Sequence, residues 1–225
     1  MENEFSEGKL LLIDKPVGWT SFDVVKKLRN VLGVKKIGHA GTLDPLATGL
    51  LIIGTGKFTK KLNELQGLDK TYEGIIEIGK TTPSYDLETS FDSESDWSHI
   101  SEEEVTTAKS RFLGMIEQIP PAHSAVKVNG ERAYKKARKN QHIKLEPRKV
   151  TISQFDVDAS HLPEVSFTVA CSKGTYIRSL AHDFGKALTT GAYLKKLVRT
   201  SVGEYHLKDA HNLEEFIKAR HESNR

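Results

Sequence analysis

The sequence predicts an α+β domain built on a mixed or antiparallel sheet, and two observations carry that expectation. Segments of strand period and helix period alternate irregularly along the 225 residues, unlike the regular winding of a parallel βαβ protein. No internal repeat and no long linker divides the chain. Apolar residues make up 37% and charged residues 28%, the balance of a globular chain large enough to bury a substantial core.

The elements follow in order. Lys9–Asp14 is a short apolar run closed by Lys15-Pro16 and Gly18, and reads as a buried strand. Ser21 stands as an N-cap before Val24, Val25, Leu28, Val31 and Leu32, which recur at helical spacing until Gly33 stops them. Leu50–Ile53 is apolar throughout and would anchor the glycine-rich segment before it. Tyr72–Gly79 alternates, with Tyr72, Gly74, Ile76 and Ile78 on one face. Ser101-Glu102-Glu103-Glu104 is a capping box that predicts a helix running to about Gly114. Val165, Phe167, Val169 and Cys171 alternate as a second strand. Ile177, Leu180, Ala181, Phe184 and Leu188 mark an amphipathic helix, and Leu213, Phe216 and Ile217 a final one.

Charge is unevenly placed. Between Asp86 and Glu104 stand eight acids and no Lys or Arg, whereas Val126–Lys149 holds nine basic residues against Glu131 and Glu146. That asymmetry fits a polyanionic partner on one face, or a solvated basic surface. The single cysteine, Cys171, excludes an intramolecular disulfide and fits a cytoplasmic home. No run approaches the ~20 apolar residues of a membrane span. The acidic start lacks the basic and apolar segments of a signal peptide.

Cofactor motifs fail. Gly49 and Gly54 are followed by Thr55 where a phosphate loop needs lysine, and Thr59 occupies the third glycine position of a dinucleotide fingerprint. One Cys and nine scattered His show no zinc-type spacing. No nucleophile elbow supports Ser-His-Asp chemistry. What remains is Gly38–Gly49 (GHAGTLDPLATG), where three glycines and Pro45 bend the chain around His39 and Asp44. Asp44 before Pro45 is also a good cap for a single turn over Leu46-Ala47-Thr48, so the residues alone leave both roles open.

The same loop resembles the signature of the TruB-type tRNA pseudouridine synthases, which modify uridine 55 in the T-arm. Leu12–Gly18 (LIDKPVG) is similar to the family's Lys-Pro motif, and Asp69–Tyr72 (DKTY) to its tyrosine-bearing strand. Ile119–Lys127 (IPPAHSAVK) is similar to the start of its RNA-binding insertion. Ser172–Arg178 (SKGTYIR) and Ala192–Ser201 (AYLKKLVRTS) resemble its later motifs. The segments run in order from about residue 9 to 205. Two departures stand out. Many members continue into a C-terminal RNA-binding PUA domain, and about 20 residues after the last motif leave no room for one. At Thr82–Glu88 only Asp86 carries over.

The resemblance implies the pseudouridine synthase fold over 1–225, with a mixed, largely antiparallel central sheet and a basic RNA-binding insertion at about 120–148. It implies that the enzyme breaks the N1–C1′ bond of a flipped uridine, turns the base and joins C5 to C1′, with no cofactor and no metal. Asp44 would be the catalytic carboxylate, attacking C1′ or taking a proton from C2′. Arg178 would lower its pKa, and Tyr72 would lie against the base. Tyr176 and Leu197 would wall the pocket, Asp86 would contact substrate, and His39 would wedge into the RNA. Lys127, Arg132, Lys135, Lys136 and Arg138 would contact RNA phosphates. The expected partner is the T-arm stem-loop of tRNA, bound by a cytoplasmic monomer with no protein partner and no membrane. Alternatives are a synthase for another stem-loop RNA and a non-catalytic RNA-binding or RNA-folding protein.

Overall fold

The computed structural model describes residues 4–124, 126–128, 130–137, 139 and 144–223. The chain divides into two compact units, Met1–Tyr72 with Leu197–Arg225, and Glu73–Lys196.

The first unit is centred on the strand Thr48–Thr55. Leu10–Lys15 pairs with it antiparallel, placing Leu10 opposite Gly54 and Lys15 opposite Gly49. Ile37–Ala40 pairs antiparallel with its end. At its start, Thr48 and Gly49 pair in parallel with Val198 and Arg199. Flanked in this way, every residue from Gly49 to Thr55 is buried, which explains the unbroken apolar run in the sequence. Alternation still sorts the side chains. Leu51 and Ile53 pack with Ile13, Val24, Val25, Leu28 and Leu213, whereas Leu50 and Ile52 pack with Ala40, Leu62 and Val202.

The helix Ser21–Leu32 covers the first of these faces and stops at Gly33, whose φ of 63° is left-handed. Its cap is Thr20, one residue before the expected Ser21. The Thr20 hydroxyl accepts from the Asp23 amide at 3.1 Å, and the Asp23 carboxylate accepts from the Thr20 amide at 3.0 Å. Ser21 is buried instead and bonds elsewhere. The C-terminal helix Leu213–Ser223 packs on the same core through Leu213, Phe216 and Ile217.

In the second unit, Arg148–His161 pairs antiparallel with both Glu164–Cys171 and Gly114–Gln118. With two parallel and several antiparallel pairings in the first unit, the fold is α+β with a mixed, largely antiparallel sheet, as expected. Helix Ile177–Ala187 contributes Phe184 to an aromatic cluster with Phe112, Phe155 and Phe167, at ring separations of 5.7–6.3 Å. The Ser101–Glu104 capping box forms, but its helix ends at Lys109. A 3-10 turn over Ser110–Phe112 follows, and Gly114 already opens a strand. In the insertion, Lys127–Val128 pairs with Glu131–Arg132 ahead of a short helix, Ala133–Ala137.

Candidate active site

Asp44 is half-buried on the segment between the strands Ile37–Ala40 and Thr48–Thr55. It opens a β-turn, not a helix: the Ala47 amide donates to the Asp44 carbonyl at 3.1 Å, with Pro45 in the second position. Three buried side chains fix this segment. The Ser21 hydroxyl accepts from the Leu43 amide at 2.9 Å and donates to the Leu43 carbonyl at 3.2 Å. Arg199 donates from Nε to the Leu50 carbonyl at 2.8 Å, and from its two terminal nitrogens to the Gly41 and Thr42 carbonyls. One guanidinium thus grips both ends of the loop. Gly49 lies so close to Arg199 that a Cβ there would come within 2.4 Å of the Arg199 carbonyl oxygen.

Lys15 is the third. It has no solvent exposure, and its Nζ donates to the carbonyls of Pro16, Trp19 and Pro45 at 2.9, 2.6 and 3.3 Å. All three ammonium protons are therefore used. Burial pulls its pKa down from 10.5 to about 8, with the Asp44 carboxylate working against that and Arg199 reinforcing it. The Gly18 amide adds a 2.8 Å bond to the Pro45 carbonyl. The Lys-Pro segment is thereby tied to the turn that carries Asp44.

The sequence reading did not assign Lys15, Ser21 or Arg199 to the site. A signal for Lys15 was present: it continues the inward phase of Leu11 and Ile13, where a lysine is out of place unless fully bonded.

The other expected site residues of this unit are His39, Tyr72 and Leu197. His39 lies half-buried on Ile37–Ala40. Burial lowers its pKa, the Gly41 backbone opposes that, and Arg199 adds to it. Tyr72 and Leu197 are both buried, at 9% and 8% exposure. The Thr48 hydroxyl donates to the Leu197 carbonyl at 3.5 Å.

The second unit holds Asp86, Tyr176 and Arg178. Asp86 and Arg178 are buried and paired, with Oδ2 and Nε 3.7 Å apart. The terminal nitrogens of Arg178 donate to the carbonyls of Ser84 at 3.2 Å and His123 at 3.0 Å. The second oxygen of Asp86 accepts from the Glu88 amide at 2.9 Å. Tyr176 precedes the helix Ile177–Ala187. Its backbone is held at both polar atoms by the Gln118 side chain, and the Arg148 guanidinium lies over its ring at 5.4 Å. Lys127, Arg132 and Lys135 are placed on the short hairpin and helix of the insertion by their backbone, and Lys136 is half-buried. Arg138 lies outside the described residues. Among the described residues no group of three or more His, Cys, Asp or Glu is placed to hold a metal. No helix among them is long and apolar enough to cross a membrane.

The family model described as TruB family pseudouridylate synthase, N-terminal domain, matches residues 29–177. One for the tRNA pseudouridylate synthase B C-terminal domain matches 178–224. A tRNA pseudouridine synthase B of Flavobacterium johnsoniae is 54% identical over 214 residues, covering 92% of this chain and 93% of the relative. One of Phocaeicola vulgatus is 50% identical over 218 residues, covering 94% and 93%. Among solved structures, a chain of a Cbf5–Nop10–Gar1 complex superposes with a TM-score of 0.72 at 28% identity, over 95% of this chain and 54% of its own. The motifs of residues 9–205, the fold that carries them and these matches agree, and the chain belongs to the TruB family of pseudouridylate synthases.

Proposed function

We propose that this protein isomerises uridine 55 in the T-arm of tRNA to pseudouridine, with Asp44 as the catalytic carboxylate. The observation that carries the proposal is the loop Gly41–Leu50. Two buried cations bonded to backbone carbonyls and a buried hydroxyl hold one half-buried acid in a family whose reaction needs one. Desolvating so many charged groups around a surface turn is costly, and it is repaid where a reacting side chain must be fixed.

The chemistry is self-contained. The N1–C1′ bond breaks, the uracil turns within the site, C5 bonds to C1′, C5 gives up its proton and N1 gains one. Asp44 either bonds C1′ and is later displaced, or removes the C2′ proton to give a glycal and returns it to C2′ as C5 bonds to C1′. Either route requires an ionised carboxylate, and the family motif assigns Arg178 as the cation that keeps it so. Tyr72 lies against the flipped base, Tyr176 and Leu197 wall the pocket, and His39 contacts the RNA where bases leave the stack. Asp86 contacts substrate through its partnership with Arg178, and the insertion at about 120–148 grips phosphates. The enzyme works as a cytoplasmic monomer.

The test is pseudouridine mapping on an unmodified tRNA transcript incubated with pure protein alone. Wild type places pseudouridine at position 55. Asp44→Asn keeps tRNA binding within a few-fold while lowering the rate at least about 10³-fold. Appreciable product from that variant removes Asp44 from the chemistry.

A further inference from the structure

We infer that Tyr85 and His182 are positioning residues that set the Asp86–Arg178 pair for the reaction; this rests on the reading that the pair acts in pseudouridylation. Helix Ile177–Ala187 carries Arg178 and His182 four residues apart, so both project from one face. The segment Thr82–Asp86 meets that face in two rungs. In one, Arg178 takes the Ser84 carbonyl at 3.2 Å and the Asp86 carboxylate at 3.7 Å. In the other, the Tyr85 ring stacks on His182 with centroids 3.8 Å apart and planes 11° from parallel.

Tyr85 connects the rungs through its backbone. Its φ is 64°, a left-handed conformation that a bulky side chain adopts only under strain. That reversal turns the chain between Ser84 and Asp86, so that a ring and two Arg178 acceptors come from three consecutive residues. The Tyr85 amide donates to Thr82 at 3.1 Å, and its carbonyl accepts from Leu194 at 2.9 Å. Glycine would take this φ without cost, so what the strain secures is the ring. The ring has one described stacking partner, one helical turn from Arg178.

The imidazole suits the task. Burial and Lys186 hold its pKa down to about 4, with Asp92 opposing. A neutral ring stacks flat on the phenol without placing a second positive charge beside Arg178.

The experiment compares Tyr85→Gly, Tyr85→Phe, His182→Ala and His182→Phe in single-turnover isomerisation of unmodified tRNA, with binding measured separately. Tyr85→Gly and His182→Ala are expected to slow the bound step about tenfold while tRNA affinity stays within twofold. Tyr85→Gly also relieves the strained φ, which offsets part of the packing lost with the ring, so its melting temperature falls no further than that of His182→Ala. Tyr85→Phe and His182→Phe keep the stack and hold the rate within twofold of wild type. The double variant Tyr85→Gly/His182→Ala is no slower than either single one, as a shared pathway demands. Unchanged rate in His182→Ala, equal losses in His182→Ala and His182→Phe, or a loss in affinity alone would overturn the assignment. A second readout is independent of turnover: the Arg178 Nε resonance moves in His182→Ala and returns in His182→Phe. An unmoved resonance overturns the pair even if catalysis changes. Wild type that makes no pseudouridine overturns the activity instead, while the resonance still decides the pair.

Discussion

Lys15 is an ammonium group with no access to water, satisfied by three backbone carbonyls, one of which belongs to the turn that carries Asp44. Removing the cation leaves those carbonyls buried with fewer donors, so Lys15→Met should cost roughly 2–4 kcal/mol in urea unfolding. The isomerisation rate should fall as well, because the turn loses its tether. The titration has a definite sign. The folded pKa of about 8 lies below the ordinary 10.5, so between those values the unfolded chain binds more protons than the folded one. Lys15's contribution to stability is therefore flat below pH 8 and rises from pH 8 to 10.5. Unfolding of wild type and Lys15→Met in parallel from pH 7 to 10 checks this. The gap between them should widen at the alkaline end, and a gap independent of pH contradicts the burial of the charge. Arg199 complements Lys15 from the other side of the loop, where its rigid fork reaches carbonyls nine residues apart.

At the scale of elements, the basic insertion and the long strand beside it differ in how well pattern reveals them. The insertion announces itself by charge: Lys127, Arg132, Lys135, Lys136, Arg138 and Lys139 fall within 13 residues with one acid, Glu131. Replacing Lys135, Lys136 and Arg138 with alanine should weaken tRNA binding and flatten the slope of log affinity against log salt, by roughly 0.7–0.9 for each phosphate no longer neutralised. Titration at several salt concentrations reads this directly, and an unchanged slope removes these three from the RNA interface. The strand Arg148–His161 carries no such signal. Val150 and Ile152 alternate inward, then a register shift between Ile152 and Gln154 puts the next buried residue at Phe155. A β-bulge breaks the two-residue period, and the strand drops out of any reading that depends on it. The helix at Ser101 shows a milder failure. Its capping box fixes the start, but nothing local holds the last turn, which tightens into a 3-10 turn before Gly114.

For the molecule as a whole, a net charge of +3 spread over 225 residues supplies little attraction to a polyanion by itself, so the proposed grip on RNA depends on the segregation of acids from bases. The first unit has its apolar strand faces covered by Ser21–Leu32 and Leu213–Ser223 on one side and by Leu62 and Val202 on the other. Among the described residues both faces of that sheet's core are covered, and sedimentation should show a single species of about 25 kDa at micromolar concentration. A stable dimer at that concentration would contradict the monomer reading.

The sequence by itself determined the α+β class, most of the helices, the glycine-bent loop with its acid, and the motifs that place the chain in its family. These are local properties: periodicity, capping and turn chemistry act over a few residues and are written there. Only the tertiary structure decided what holds the acid. Lys15, Ser21 and Arg199 reach the Asp44 loop from positions 22 to 158 residues away in the chain or from a strand that merely lies beside it. Likewise Tyr85 meets His182, and Asp86 meets Arg178, across more than 90 residues. No pattern of spacing encodes such contacts, because strand register and the direction of each buried side chain choose them once the core has packed.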